Sequence, residues 1–79
     1  MDVTIDYCTE CGHLDKAVEA AREILAEHGE SFEKLELVPS EGGVLRISIE
    51  SEVVFDLDEE DFSVSDINQE VADYLQEQE

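Results

Sequence analysis

Cys8 and Cys11 are the two cysteines of this 79-residue chain, and two residues separate them. At that spacing one sulfur can reach the other, so the pair can cycle between dithiol and disulfide. In such chemistry a thiolate attacks a substrate disulfide, and the neighbouring thiol then resolves the mixed disulfide. The surrounding run Tyr7-Cys8-Thr9-Glu10-Cys11-Gly12 lies where an alternating apolar pattern gives way to a helical one. Unpaired N–H groups at a helix start carry positive partial charge and favour a thiolate placed there. Cys8 precedes the helix and is expected to be the more accessible thiol and the nucleophile. Cys11, placed inside the first helical turn, is expected to be the resolving thiol. Asp6, Glu10 and Asp15 oppose a thiolate by like charge, with Lys16 the one nearby cation.

A structural disulfide is the bland reading of the pair, but closing so small a loop removes little entropy from the unfolded chain. Zinc is the stronger competitor, because Cys8, Cys11 and Gly12 also resemble half of a zinc knuckle, and His13 and His28 offer nitrogen. A structural zinc needs four ligands, however, and the chain has no second cysteine pair. His28 falls about four helical turns beyond His13 at roughly 1.5 Å per residue, so a monomeric site using both histidines is strained, although a dimer could assemble four thiolates. No metal ligand is assigned. His13 reads first as a surface histidine, with proton transfer to the thiols as its functional alternative. His28 reads as a dipole partner at a helix end, and Tyr7 as core or cleft wall.

Val3, Ile5 and Tyr7 alternate with Asp2, Thr4 and Asp6, which predicts a strand that positions Cys8 at its end. Leu14, Ala17, Val18, Ala21, Ile24, Leu25 and His28 then recur at helical spacing, and Gly29 caps that helix. Leu35 and Leu37 mark a second strand ended by Pro39, whose peptide bond is expected to follow the trans majority. Ser40 to Gly43 form a turn. Leu45, Ile47 and Ile49 make a third strand, and Val53, Phe55 and Leu57 a fourth, joined as a hairpin near Glu50 and Ser51. Asp58 to Asp61 read as a solvated acidic loop that lacks the central Gly of a calcium loop. Ser63 or Ser65 caps a last helix whose apolar stripe is Ile67, Val71, Tyr74 and Leu75. The order is β-α-β-β-β-α, with the first two strands parallel. Alternation along the strands implies one solvated sheet face and both helices on the other, a two-layer α/β sandwich in a single domain.

Twenty-three acidic residues face four basic ones, for a formal net charge of −19. Lys16, Arg22, Lys34 and Arg46 form no cluster, so nucleic acid and anionic membrane are excluded as partners. The acids are spread through every segment, as on a surface built for high salt, where the Debye length falls to roughly 3 Å at 1 M. A halophilic source is expected, with a fold that loosens in low salt. No basic n-region with an apolar h-region opens the chain, and no stretch has the length of a membrane helix, so a cytoplasmic setting is expected.

Val3, Ile5, Tyr7, Cys8 and Cys11, with Ala17 and the Ile24–Leu25 helix end, resemble the selenoprotein W, T and H (Rdx) group of redox proteins. Leu35, Leu37, Pro39, Gly43 and Val44 match the same group, so the resemblance spans nearly the whole chain. It implies a thioredoxin-like fold with the redox pair between the first strand and first helix, and gives the redox role to Cys8 and Cys11. Two departures are specific. Selenoproteins of this group carry selenocysteine at the second position of the pair, where Cys11 stands here. The loop after strand four, often basic in the group, is here Asp58-Glu59-Glu60-Asp61. With the charge balance, the resemblance points to a haloarchaeal member.

The sequence thus predicts a thiol–disulfide oxidoreductase or electron-transfer protein that needs no organic cofactor. Its partner is a protein or low-molecular-weight thiol or disulfide. A zinc-binding module and an interaction module with incidental thiols are the alternatives. Substrate, reductant and oligomeric state are left open.

Overall fold

The computed structural model describes residues 1–10 and 12–77. Strand β1 (Asp2–Cys8) leads through a turn into helix α1 (Leu14–His28), and a short 3₁₀ turn (Gly29–Ser31) follows. The chain continues as β2 (Lys34–Ser40), β3 (Leu45–Ile49), β4 (Glu52–Asp56) and α2 (Val64–Glu77). The sheet order is β2-β1-β3-β4, with β1 parallel to β2 and antiparallel to β3, and β3 antiparallel to β4. This is the expected mixed α/β sheet, and β1 lies in its interior with Cys8 as its last residue.

One layer of apolar side chains holds the two halves together. Val3 and Ile5 of β1, Leu45, Ile47 and Ile49 of β3, and Phe55 of β4 share a buried cluster with Ala17, Ala20, Ala21 and Ile24 of α1 and Ile67, Val71 and Tyr74 of α2. Helix α1 packs on β1, α2 packs on β4, and the helices touch each other, so both lie on one sheet face. Each fully buried Val, Ile or Phe contributes about 1.5–3 kcal/mol. Thr4, Glu36 and Ser48 are neighbours on the opposite face, as are Asp6, Arg46 and Asp56. That polar face explains the alternation along β1 and β3.

Several local expectations are corrected. Leu14, Val18 and Leu25 do not join the buried stripe of α1; each is 47% exposed. The small side chains Ala17, Ala20 and Ala21 take the contact instead, because they let helix and sheet approach closely. Pro39 does not end β2 but pairs with Tyr7 inside it, across a trans peptide bond. Its missing N–H is tolerated because β2 is an edge strand. In β4, Ile47 faces Phe55 but Ser48 faces Val53, so Val54 is an extra residue in a bulge. The bulge sends Val53 to the polar face, half exposed, while Phe55 is buried. Gly29 sits at the C-cap of α1 in right-handed rather than left-handed geometry, and the chain winds on into the 3₁₀ turn. Glu50 and Ser51 turn the β3–β4 hairpin with φ of 51° and 74°, a conformation that favours Asn and Gly. Ser63 is the cap of α2: its Oγ accepts from the Asp66 amide at 3.5 Å.

Candidate functional site

Cys8 is anchored from both sides by the strands that flank β1. Its amide donates to the Val44 carbonyl at 2.8 Å, and the Thr9 amide donates to the Ser40 carbonyl at 3.3 Å. These two N–H groups complete the sheet and are therefore not spare donors for a thiolate. The turn from Thr9 to His13 then carries the chain to α1, with Gly12 at φ 73°, a left-handed conformation that suits glycine. Cys11 lies outside the described residues. The expectation for Cys11 as the resolving thiol in the first helical turn therefore falls on an undescribed residue; the helix itself begins at Leu14.

Cys8 is 1% exposed. It is the thiol expected to be the more accessible, yet it is itself buried, and Cys11, with which it is compared, lies outside the described residues. Tyr7 follows Ile5 onto the helix face and packs on the core, whereas Cys8 is buried apart from that core cluster. Burial of this kind shields a thiol from bulky substrates.

His13 is half-buried and occupies the N-cap of α1, yet its side chain caps nothing. Its Nδ1 lies 3.3 Å from the Val44 carbonyl oxygen, the same oxygen that accepts from Cys8. A carbonyl can only accept, so Nδ1 carries the hydrogen and Nε2 is the free end of the ring. The sequence reading of His13 as a surface histidine missed this contact. Its signal was a poor N-cap residue at a strand–helix junction; the carbonyl of Val44 had no signal, since any residue type supplies one.

His28 closes the opposite end of α1, so the two histidines cannot share one ion within the chain. Among the described residues no three His, Cys, Asp or Glu side chains are gathered closely enough to hold a metal. The Asp58–Asp61 loop is held to the end of β4, the Asp58 amide donating to Asp56 Oδ1 at 3.1 Å.

A shallow depression of about 510 Å³ opens beside the Val44 and Ser40 carbonyls and is lined by Asp6, Ser40, Glu41, Val44, Arg46 and Asp58. Arg46 is the cation among these residues, and Asp56 engages its Nε at 3.3 Å. The remaining charged lining is acidic, which disfavours an anionic partner there. Elsewhere acids crowd together. Glu70 of α2 is pushed up to about 7, first by burial, then by a hydrogen bond with Glu60 and by the charges of Glu60, Asp66 and Asp73. Burial and the charges of Glu52 and Glu50 raise the Tyr74 hydroxyl. On the edge strand, a hydrogen bond to Glu36 at 2.8 Å, with the charges of Glu36 and Asp2, raises Lys34.

The family model that matches this chain is that of the Rdx family, over residues 2–73. A crystal structure of a Bordetella parapertussis protein superposes with a TM-score of 0.85 at 32% identity, covering 92% of this chain and 95% of that one. A selenoprotein W-related protein from Vibrio cholerae superposes equally well, with a TM-score of 0.85. It is 21% identical, over 92% of this chain and 94% of that one, a likeness of fold. No curated protein matches the sequence.

Proposed function

This chain belongs to the Rdx family, and from that premise we propose that it is a thiol–disulfide exchange protein that cycles Cys8 and Cys11 between dithiol and disulfide. One observation carries the reading: Cys8 closes the interior strand of a thioredoxin-like sheet, and the second of the chain's two thiols follows three positions later. Fold alone assigns no chemistry; a thiol pair at that position does. Exchange passes two electrons between sulfur atoms and calls for no organic cofactor. A cytoplasmic setting, where thiols are kept reduced, belongs to the same reading.

With Cys8 buried, this reading departs from the order of attack expected from the sequence. A bulky disulfide cannot reach Cys8 without opening the fold, so this reading gives the first attack to Cys11 and makes Cys8 the resolving thiol. The acidic depression lined by Ser40 and Val44, whose carbonyls accept from the Thr9 and Cys8 amides, favours substrates whose disulfide is flanked by neutral or basic residues.

The test is a redox titration in molar salt, with graded thiol buffers, alkylation quenching and mass readout. One two-electron transition is expected, within roughly −220 to −320 mV. Failure to form an intramolecular disulfide in any oxidising buffer overturns the reading, and metal content after chelator-free purification then tests zinc in its place.

A further inference from the structure

We propose that the line of Leu14, Val18 and Leu25 along α1 is a docking surface for an amphipathic helix of a partner protein, one whose apolar ridge is flanked by lysine or arginine. The inference goes beyond the exchange reading and does not depend on it, because side chains of α1 and α2 alone define the surface.

Alignment, space and charge each support it. Leu14, Val18 and Leu25 are each 47% exposed, while Ala17, Ala20, Ala21 and Ile24 form the buried stripe of the same helix. With the nearly buried Ala21 they follow a 4-3-4 spacing along one side of α1. The line extends over about 16 Å at roughly 1.5 Å per residue. Scattered exposed apolar residues are ordinary, but a line at this spacing is the seam that a second helix fits by interdigitation. An open depression of about 740 Å³ lies beside it, between α1 and the start of α2, with Val18, Val64 and Ser65 in its lining. Asp15, Glu19 and Glu23 line the same depression against one cation, Arg22. A ridge with basic flanks matches that rim, and one with acidic flanks is repelled by it.

Charge and size select among the possible occupants. A second copy brings a further formal charge of −19, and its own acidic rim would face this one. Three half-exposed side chains also fall well short of the roughly 800 Å² per partner that a stable interface buries. The surface therefore suits a transient encounter with a different protein. An extended strand is a poorer match, because its side chains repeat every two residues and not at helical spacing. The charge preference is screened as salt rises, while the apolar part of the contact is not.

Three synthetic peptides, titrated into the isotope-labelled full chain and followed by NMR, test this. One carries leucines at the 4-3-4 spacing with lysine and alanine elsewhere. The second has glutamate in place of lysine, and the third scrambles the first, keeping its charge and losing its apolar line. The first should shift the amides around Val18 and Leu25 and at the start of α2, and should bind at least about tenfold more tightly than the others. Val18→Ser and Leu25→Ser should each weaken it roughly three- to tenfold, since about half of each side chain is left to bury. Circular dichroism checks that both variants keep the fold. Equal binding of the scrambled peptide would reduce the effect to net charge, and equal binding of the glutamate peptide would remove the basic partner; either overturns the proposal. So does no response, a response confined to another face, or movement of the same amides with protein concentration alone, which would make a second copy the occupant. The redox titration is independent of all these outcomes, so the exchange reading stands or falls separately.

Discussion

Cys8 and His13 meet on one atom: the Val44 carbonyl oxygen lies 2.8 Å from the Cys8 amide and 3.3 Å from His13 Nδ1. The carbonyl of the residue just before β3 thereby ties the end of β1 to the residue that precedes α1.

The buried position of Cys8 predicts unequal reactivity. In the native reduced protein, alkylation should label Cys11 well before Cys8, and the two should react alike in denaturant. Peptide mass mapping of a quenched time course reads the order. Faster native labelling of Cys8 would show that the shielding does not hold in solution.

Glu70 gives a pH dependence of defined sign. Its carboxyl holds its proton up to about pH 7 in the folded chain, against an ordinary value of 4.5. The folded state therefore binds the proton more tightly than the unfolded state. The associated stability is full below about pH 4.5 and is lost as pH rises through 7. Glu60, Asp66 and Asp73 press like charge on Glu70 from the loop and along α2, and Asp61 and Glu52 line the depressions it shares. Glu70→Gln should flatten the decline between pH 5 and 8 and raise stability at the upper end, as measured by urea unfolding at each pH.

The β3–β4 turn carries two residues of positive φ without glycine. Ser51→Gly should relieve one left-handed residue and stabilise the protein by about 1 kcal/mol. A raised urea midpoint with an unchanged slope is the expected signature. The same change at Ser48, inside β3, should destabilise, because glycine weakens a strand interior.

Phe55 is 1% exposed and meets Phe62 edge-on, with ring centroids 6.3 Å apart. Phe55→Ala should cost about 3–5 kcal/mol. A chain of this length has only about 4–12 kcal/mol of total stability, so the variant should be largely unfolded at modest urea. Near-ultraviolet and far-ultraviolet dichroism should be lost together.

Net charge sets the salt response. With −19 charges on 79 residues, self-repulsion at low ionic strength is screened as salt approaches molar levels. The thermal midpoint should rise steadily from low to molar sodium chloride. The exposed pairs of Lys34 with Asp2 and Glu36 weaken in the same salt but contribute little, so they do not reverse the trend. A flat or falling midpoint would contradict a surface adapted to high salt.

Much of this protein was written in local pattern. Alternation at Val3 and Ile5, and at Leu45, Ile47 and Ile49, determined the strands and their buried face, because a strand's side chains repeat every two residues. Helical spacing from Ala17 to Ile24 and from Ile67 to Tyr74 determined both helices, and the spacing of Cys8 and Cys11 determined the chemistry worth testing. These signals are local, carried by residues a few positions apart. Only the tertiary structure decided the rest. Strand order made Pro39 an edge residue and so an acceptable one, and a bulge at Val54 reversed the face of Val53. The sheet put Cys8 out of reach of solvent despite its place at a strand end. The contact of His13 depends on a backbone carbonyl 31 residues away in sequence. Side-chain type does not encode which carbonyl a folded chain brings near, and that choice belongs to the packing of β1, β3 and α1 together.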